Sequence, residues 1–189
     1  MSPAEDPSAS GPLTPRKAVF LDRDGTIVAD VGYCSDPEKI VLLPGAARAL
    51  HELRANGFGL FLFTNQSGIG RGYFPRERVE KCNWQMEELL GLGHALFLET
   101  CIAPEAPDDP MHYRKPSPRF ILESIAKHSL DPATTWMVGD KLTDAAAGLA
   151  AGVQAALIGA GRPEGLPGGV PVFSDLRSFA HTIIHRARL

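Results

Sequence analysis

Asp22 and Asp24 stand two residues apart in the run Asp22-Arg-Asp-Gly-Thr26. Two carboxylates at that spacing on a loop can converge on one point, and the glycine that follows lets the backbone turn away from them. One can attack as a nucleophile while the other carries a proton. Thr64-Asn-Gln-Ser67 presents four hydrogen-bonding side chains in a row, a set that suits phosphate oxygens as well as it suits a helix cap. Lys115, in Arg114-Lys-Pro116, offers a compact cation for an anionic group, and Arg114 adds forked donors for a second anionic contact. Asp140, in Gly139-Asp-Lys-Leu-Thr-Asp144, can complete a hard-cation site with Asp22, and Asp144 can hydrogen-bond or cap the next helix. A nucleophilic carboxylate, a second carboxylate, a hydroxyl anchor, a lysine and a metal carboxylate together form the inventory for moving a phosphoryl group.

The elements that must hold these residues are legible from hydrophobic texture. Unbroken apolar runs at 18–21, 60–63, 95–98, 136–138 and 155–158 have the pattern of strands buried on both faces. Segments of helical period lie between them at 44–57, 75–90, 118–127, 143–151 and 175–185. Strand alternating with helix predicts an α/β fold, a Rossmann-like three-layer sandwich with a mostly parallel sheet. Ligands in such folds bind beyond the carboxyl ends of the strands, where each polar motif falls. Asp22 and Thr64 are 42 residues apart, and Thr64 and Lys115 are 51 apart, which leaves no room for a large cap domain. Short flaps at 30–36 and 103–113 are the expected lids. Residues 1–16 hold four prolines and few apolar side chains, so they read as a disordered tail before a single domain over 17–189.

Composition narrows the partners. The chain has 189 residues, net charge −3 and 44% apolar content, which disfavour a polyanion or an anionic membrane as partner. Arg71, Arg76, Arg78 and Lys81 make one local basic stretch, interleaved with Glu77 and Glu80. Three cysteines with no paired spacing fit a reducing compartment, and no apolar run is long enough for a membrane span, so a cytoplasmic protein is expected. His181 and His185 are spaced as a metal pair but have no acidic partner and read as a surface face.

Taken together, the four motifs resemble those of the haloacid dehalogenase superfamily. Asp30-Val-Gly-Tyr33 and Thr64-Asn-Gln-Ser-Gly-Ile-Gly-Arg-Gly72 resemble the branch that holds the D-glycero-D-manno-heptose 1,7-bisphosphate phosphatases and the histidinol-phosphate phosphatases. The resemblance implies a phosphomonoesterase in which Asp22 forms an aspartyl-phosphate and Asp24 protonates the leaving oxygen, then activates water. It implies Mg²⁺ on Asp22, the backbone carbonyl of Asp24, and Asp140, with Thr64 and Lys115 steadying the phosphoryl group. Asp30, Tyr33, Asn65, Gln66, Ser67, Arg114 and Lys141 would touch the rest of the substrate, expected to be a sugar bisphosphate. Histidinol phosphate and a nucleic-acid 3′-phosphate are the alternative substrates, and a non-catalytic phosphate-binding module is the alternative of another class. The branch usually carries a zinc loop of form C-x-H followed by C-x-C-R-K. Here those positions read Cys101-Ile-Ala103 and Met111-His-Tyr113-Arg-Lys115, so no structural zinc is expected.

Overall fold

A computed structural model of the chain describes residues 17–93 and 95–186. The stretch expected to be a tail, residues 1–16, lies outside them. Six strands form one sheet in the order β3-β2-β1-β4-β5-β6, with every pairing parallel. They are β1 (Lys17–Leu21), β2 (Phe58–Asn65), β3 (Glu99–Ala103), β4 (Trp136–Gly139), β5 (Gln154–Ile158) and β6 (Val172–Phe173). The helices are α1 (Ala46–Ala55), α2 (Ser67–Gly70), α3 (Arg76–Leu90), α4 (Arg119–His128), α5 (Leu142–Ala150) and α6 (Leu176–Arg186). Strand order reverses between β1 and β4, which makes the crevice between their carboxyl ends the place where such sheets bind ligands.

The continuous apolar runs are explained by two cores, one on each face. Val19 and Leu21 of β1, with Leu60 and Leu62 of β2, pack in one cluster with α1, α3 and α6. Phe20, Phe61 and Phe63 point the other way and pack with Phe120 and Ile121 of α4 and Ala147 of α5. Alternate residues of a strand serve alternate faces, so a strand covered twice has no polar positions to spare.

One expected strand is displaced. The run 95–98 is not a strand: Ala95 takes a left-handed φ of 64°, Leu96 and Phe97 are buried in the first core, and the strand starts at Glu99. β3 lies at the sheet edge and three of its five positions are partly or fully exposed, so it lacks the unbroken apolar signature of a central strand.

The segment between β1 and α1 is closed at its base. Ala29 N–H donates to the Val41 carbonyl and Leu43 N–H to that of Ile27, both at 2.9 Å, so residues 30–40 project as a flap beside the mouth. Among the described residues no cap domain sits over the crevice. No described helix is long and apolar enough to cross a membrane.

Candidate active site

The ends of β1, β2 and β4, with the loop before α4, deliver the polar residues to one crevice. Asp22 directly follows β1, and its N–H donates to the Val138 carbonyl of β4 at 2.9 Å, which pins the loop to the neighbouring strand. Gly25 has φ 77°, and a Cβ there would come within 2.4 Å of Asp140 Oδ2. The motif therefore needs glycine for close approach of the second loop as well as for the turn. Gly139 is constrained in the same way, since its Cβ would meet Asp144 Oδ2 at 2.2 Å.

Lys115 is the electrostatic centre. It is buried, and its Nζ lies 2.8 Å from Asp22 Oδ1 and 2.6 Å from Asp144 Oδ1 while donating to the Phe63 carbonyl at 2.8 Å. The ammonium thus has one hydrogen bond and two close ion pairs. Burial alone would lower the lysine pKa, but the carboxylates of Asp144 and Asp22 outweigh it and raise it. Asp144 moves the same way because its burial exceeds the effect of Lys115. Asn65 fixes the lysine backbone: Lys115 N–H donates to Asn65 Oδ1 at 2.9 Å, and Asn65 Nδ2 donates to the Lys115 carbonyl at 3.2 Å.

Asp24 is held from two sides. Arg23 Nε donates to its Oδ2 at 3.1 Å and Arg23 Nη2 to its Oδ1 at 3.2 Å, while Gln66 Nε2 donates to Oδ2 at 2.9 Å and to Thr64 Oγ1 at 2.8 Å. Burial raises the Asp24 pKa and exceeds the opposing effect of Arg23. A carboxyl poised above its ordinary range can carry a proton to a leaving group.

The cavity over these groups has about 650 Å³ of empty volume, and its wall includes Asp22, Asp24, Asn65, Gln66, Ser67 and Lys115. Asp30, Tyr33 and Lys141 line its rim, where Lys141 Nζ donates to Asp30 Oδ2 at 3.1 Å. Three of the residues chosen from sequence do not line it. Thr64 is fully buried with its hydroxyl against Gln66, Asp140 lies behind Gly25, and Arg114 Nη1 turns away to the Glu105 carbonyl at 3.2 Å.

Ligand atoms of Asp22, Asp140 and Asp144 lie within 4.8 Å of one another. Asp144 is already committed, one oxygen to Lys115 and the other to the Lys141 N–H at 2.9 Å. Asp140 Oδ1 is buried with no hydrogen-bond partner, and burial pushes the Asp140 carboxyl up to about 6. An orphaned buried carboxylate oxygen beside a second carboxylate is the donor set of a hard divalent cation, and Mg²⁺ fits it. No such set forms around Cys101 among the described residues. The loop there is braced by protein groups: Glu105 Oε1 accepts from Tyr113 N–H at 2.6 Å, Asp109 Oδ2 from Ala106 N–H at 2.7 Å, and the Pro104 carbonyl from Gly70 N–H at 3.0 Å. Burial and Glu105 push the Cys101 thiol up to about 12.

Relatives match most of the chain. A protein of Pasteurella multocida named D-glycero-beta-D-manno-heptose-1,7-bisphosphate 7-phosphatase is 37% identical, over 78% of this chain and 84% of that protein. The chain belongs to the haloacid dehalogenase-like phosphatases. The HAD-hydrolase-like family model matches residues 112–169, the stretch from Lys115 through Asp144 and β5. A Pseudomonas putida relative of the same name is 34% identical over 89% of this chain and 99% of that protein. The crystal structure of D,D-heptose 1,7-bisphosphate phosphatase from B. bronchiseptica, complexed with magnesium and phosphate, superposes with TM-score 0.82 at 30% identity, covering 90% of this chain and 99% of that one. Like other members of this family, the chain is a hydrolase of phosphoric monoesters.

The structure also brings in residues that the sequence reading passed over. Arg23 and Asn83 lie behind Asp24, Glu105 braces the flanking loop, and Tyr73 packs edge-on against Tyr33 with ring centroids 5.0 Å apart. Their partners lie far away in sequence or in irregular loops, so no local spacing marks them.

Proposed function

We propose that the chain is a Mg²⁺-dependent phosphatase that removes the 7-phosphate of a D-glycero-D-manno-heptose 1,7-bisphosphate in the cytoplasm. The observation that carries the reading is the buried Lys115 between Asp22 and Asp144, at the floor of a cavity whose other wall holds Asp24. A phosphoryl group seated there meets a nucleophile, a cation and a proton carrier together. Asp22 attacks phosphorus as the bond to the leaving oxygen breaks, and Asp24 gives that oxygen its proton. Asp24 Oδ1, with one N–H neighbour, is the atom with room for it. Asp24 then takes a proton from water as the water attacks phosphorus, which frees inorganic phosphate and restores Asp22. Asp22, Asp140 and the Asp24 carbonyl would hold Mg²⁺, which supplies charge neutralisation at the phosphoryl oxygens when bound.

The open mouth and the two separated cations, Lys115 at the floor and Lys141 at the rim, suit a substrate with two anionic ends. The names of the relatives favour the heptose as the body between them. Phosphate release from heptose 1,7-bisphosphate anomers, other sugar phosphates, histidinol phosphate and a 3′-phosphorylated oligonucleotide tests the reading. The highest kcat/KM is expected for a heptose bisphosphate at C7. A higher value for histidinol phosphate or the oligonucleotide overturns the substrate, and no release from any overturns the enzyme.

A further inference from the structure

Arg23 separates the two motif aspartates in sequence but lies beneath them in space. Its guanidinium is fully buried, an expensive place for a charge unless it is paired and hydrogen-bonded. Nε and Nη2 go to Asp24, and Nη1 donates to Asn83 Oδ1 at 2.9 Å. Asn83 is itself buried, sits on α3 sixty residues away, and does not line the catalytic cavity. Its orientation is set by chemistry, because only the amide oxygen can accept from a guanidinium. The helix that carries it is fixed by Cys82 and Met86, which are locked in the first core. A planar fork pinned at one tip by a core helix has little freedom at the other. Where Asn83 holds Nη1, the carboxyl of Asp24 must follow.

We propose that Asn83, acting through Arg23, is a positioning residue for Asp24 that aims its carboxyl at the leaving oxygen. The inference rests on the proton-transfer role given to Asp24 above. It makes α3, none of whose residues lines the cavity, part of the acid catalysis. Misplacing a reacting group by a fraction of an ångström to one ångström costs up to about 100-fold in rate, so the effect is large enough to measure.

The test compares kcat/KM for p-nitrophenyl phosphate, whose leaving group departs without a proton, with that for a sugar or glycerol phosphate, whose alkoxide needs one. Asp24→Asn should lower the alkyl value by about 10²–10⁴-fold and the aryl value far less. Asn83→Ala should lower the alkyl value by about 10–100-fold and leave the aryl value within about threefold. Asn83→Asp, which keeps an acceptor for Nη1, should restore the ratio. Val79→Ala, one turn back among the buried residues of α3, removes no hydrogen bond to Arg23 and should leave the ratio unchanged. The double variant Asn83→Ala/Asp24→Asn should be no slower than Asp24→Asn alone, because the two act on one step. Equal losses on both substrates in Asn83→Ala, or additivity in the double variant, overturn the inference. If Asp24→Asn itself shows no alkyl selectivity, the assignment of Asp24 fails first. Should Asn83→Ala not fold, Asn83→Ser, too short to reach Nη1, carries the same comparison.

Discussion

Two lysine–aspartate pairs face the same cavity and differ in almost everything that sets their worth. At the floor, Lys115 is 2% exposed and sits 2.8 and 2.6 Å from two buried carboxylates. At the rim, the Lys141 side chain is 54% exposed and its single bond to Asp30 is 3.1 Å long. Water screens the second pair and not the first, so the floor stores strong, preorganised electrostatics while the rim pair can open for little. Chemistry needs the first property, since its charges must already stand where the transition state wants them. Admission of a substrate body needs the second.

The contrast is sharpest at the nucleophile. Asp22→Asn keeps the bulk and most contacts of the floor but removes the attacking carboxylate, so turnover should vanish while the fold and phosphate binding persist. Turnover within about tenfold of wild type would break the covalent scheme. Asp140→Ala should weaken Mg²⁺ affinity rather than stability, because its Oδ1 has no protein partner to lose; full activity in excess EDTA would remove the metal from the floor.

Lys115→Met tests the floor as a structural device. It leaves Asp22 and Asp144 buried with no counter-charge, which should cost about 3–5 kcal/mol of stability together with activity, read from denaturant unfolding. A loss below about 1 kcal/mol would mean that the floor behaves like the rim.

The loop over residues 104–113 extends the comparison to the side of the mouth. Purified protein should carry well under one zinc per chain, and Cys101→Ser should change stability little, because Glu105 and Asp109 already brace the loop. Glu105→Ala should raise KM more than it lowers kcat, since it frees Tyr113 N–H beside Arg114 and Lys115. One tightly held zinc, lost in Cys101→Ser, would show that metal and not hydrogen bonds shapes this side.

What could be read from sequence divides along the same line. Much of the floor follows strand ends, and strand ends follow apolar runs, so Asp22, Asp24 and Asp140 stood out by type and place, while Lys115 stood out by type on a loop before a helix. Thr64, Asn65 and Gln66 stood out too, but not their partners: the spacing cannot tell that Gln66 turns to Asp24 or that Asn65 clasps the Lys115 backbone. Arg23 carried no signal of its own, because its partner Asn83 is set by how α3 packs, a tertiary fact. β3 escaped because an edge strand has only one neighbour to bury it and so loses the continuous pattern.

The smallest expected effect is at the rim, and it separates the two regions by how they respond to solvent. Burial works against Asp30, but the Gly32 N–H and Lys141 overcome it and hold its carboxyl below the ordinary 3.8. Burial likewise works against Lys141, and Asp140 and Asp30 raise it above the ordinary 10.5. The contribution of Asp30 is therefore fully present above 3.8 and lost as pH falls through its lowered value, while that of Lys141 is present below 10.5 and lost only as pH rises past its raised one. Both stay charged across neutral pH. Lys141→Met should raise KM for a bisphosphate severalfold and leave kcat nearly unchanged. The ratio of mutant to wild-type KM should be flat between about pH 7 and 9, because neither rim group titrates there. It should shrink as salt is raised from about 0.01 to 1 M, since the Debye length falls from about 30 to 3 Å and the exposed ammonium loses its reach. A ratio that ignores salt would show that Lys141 acts as a desolvated contact like Lys115, and the division between floor and rim would then have to be redrawn around it.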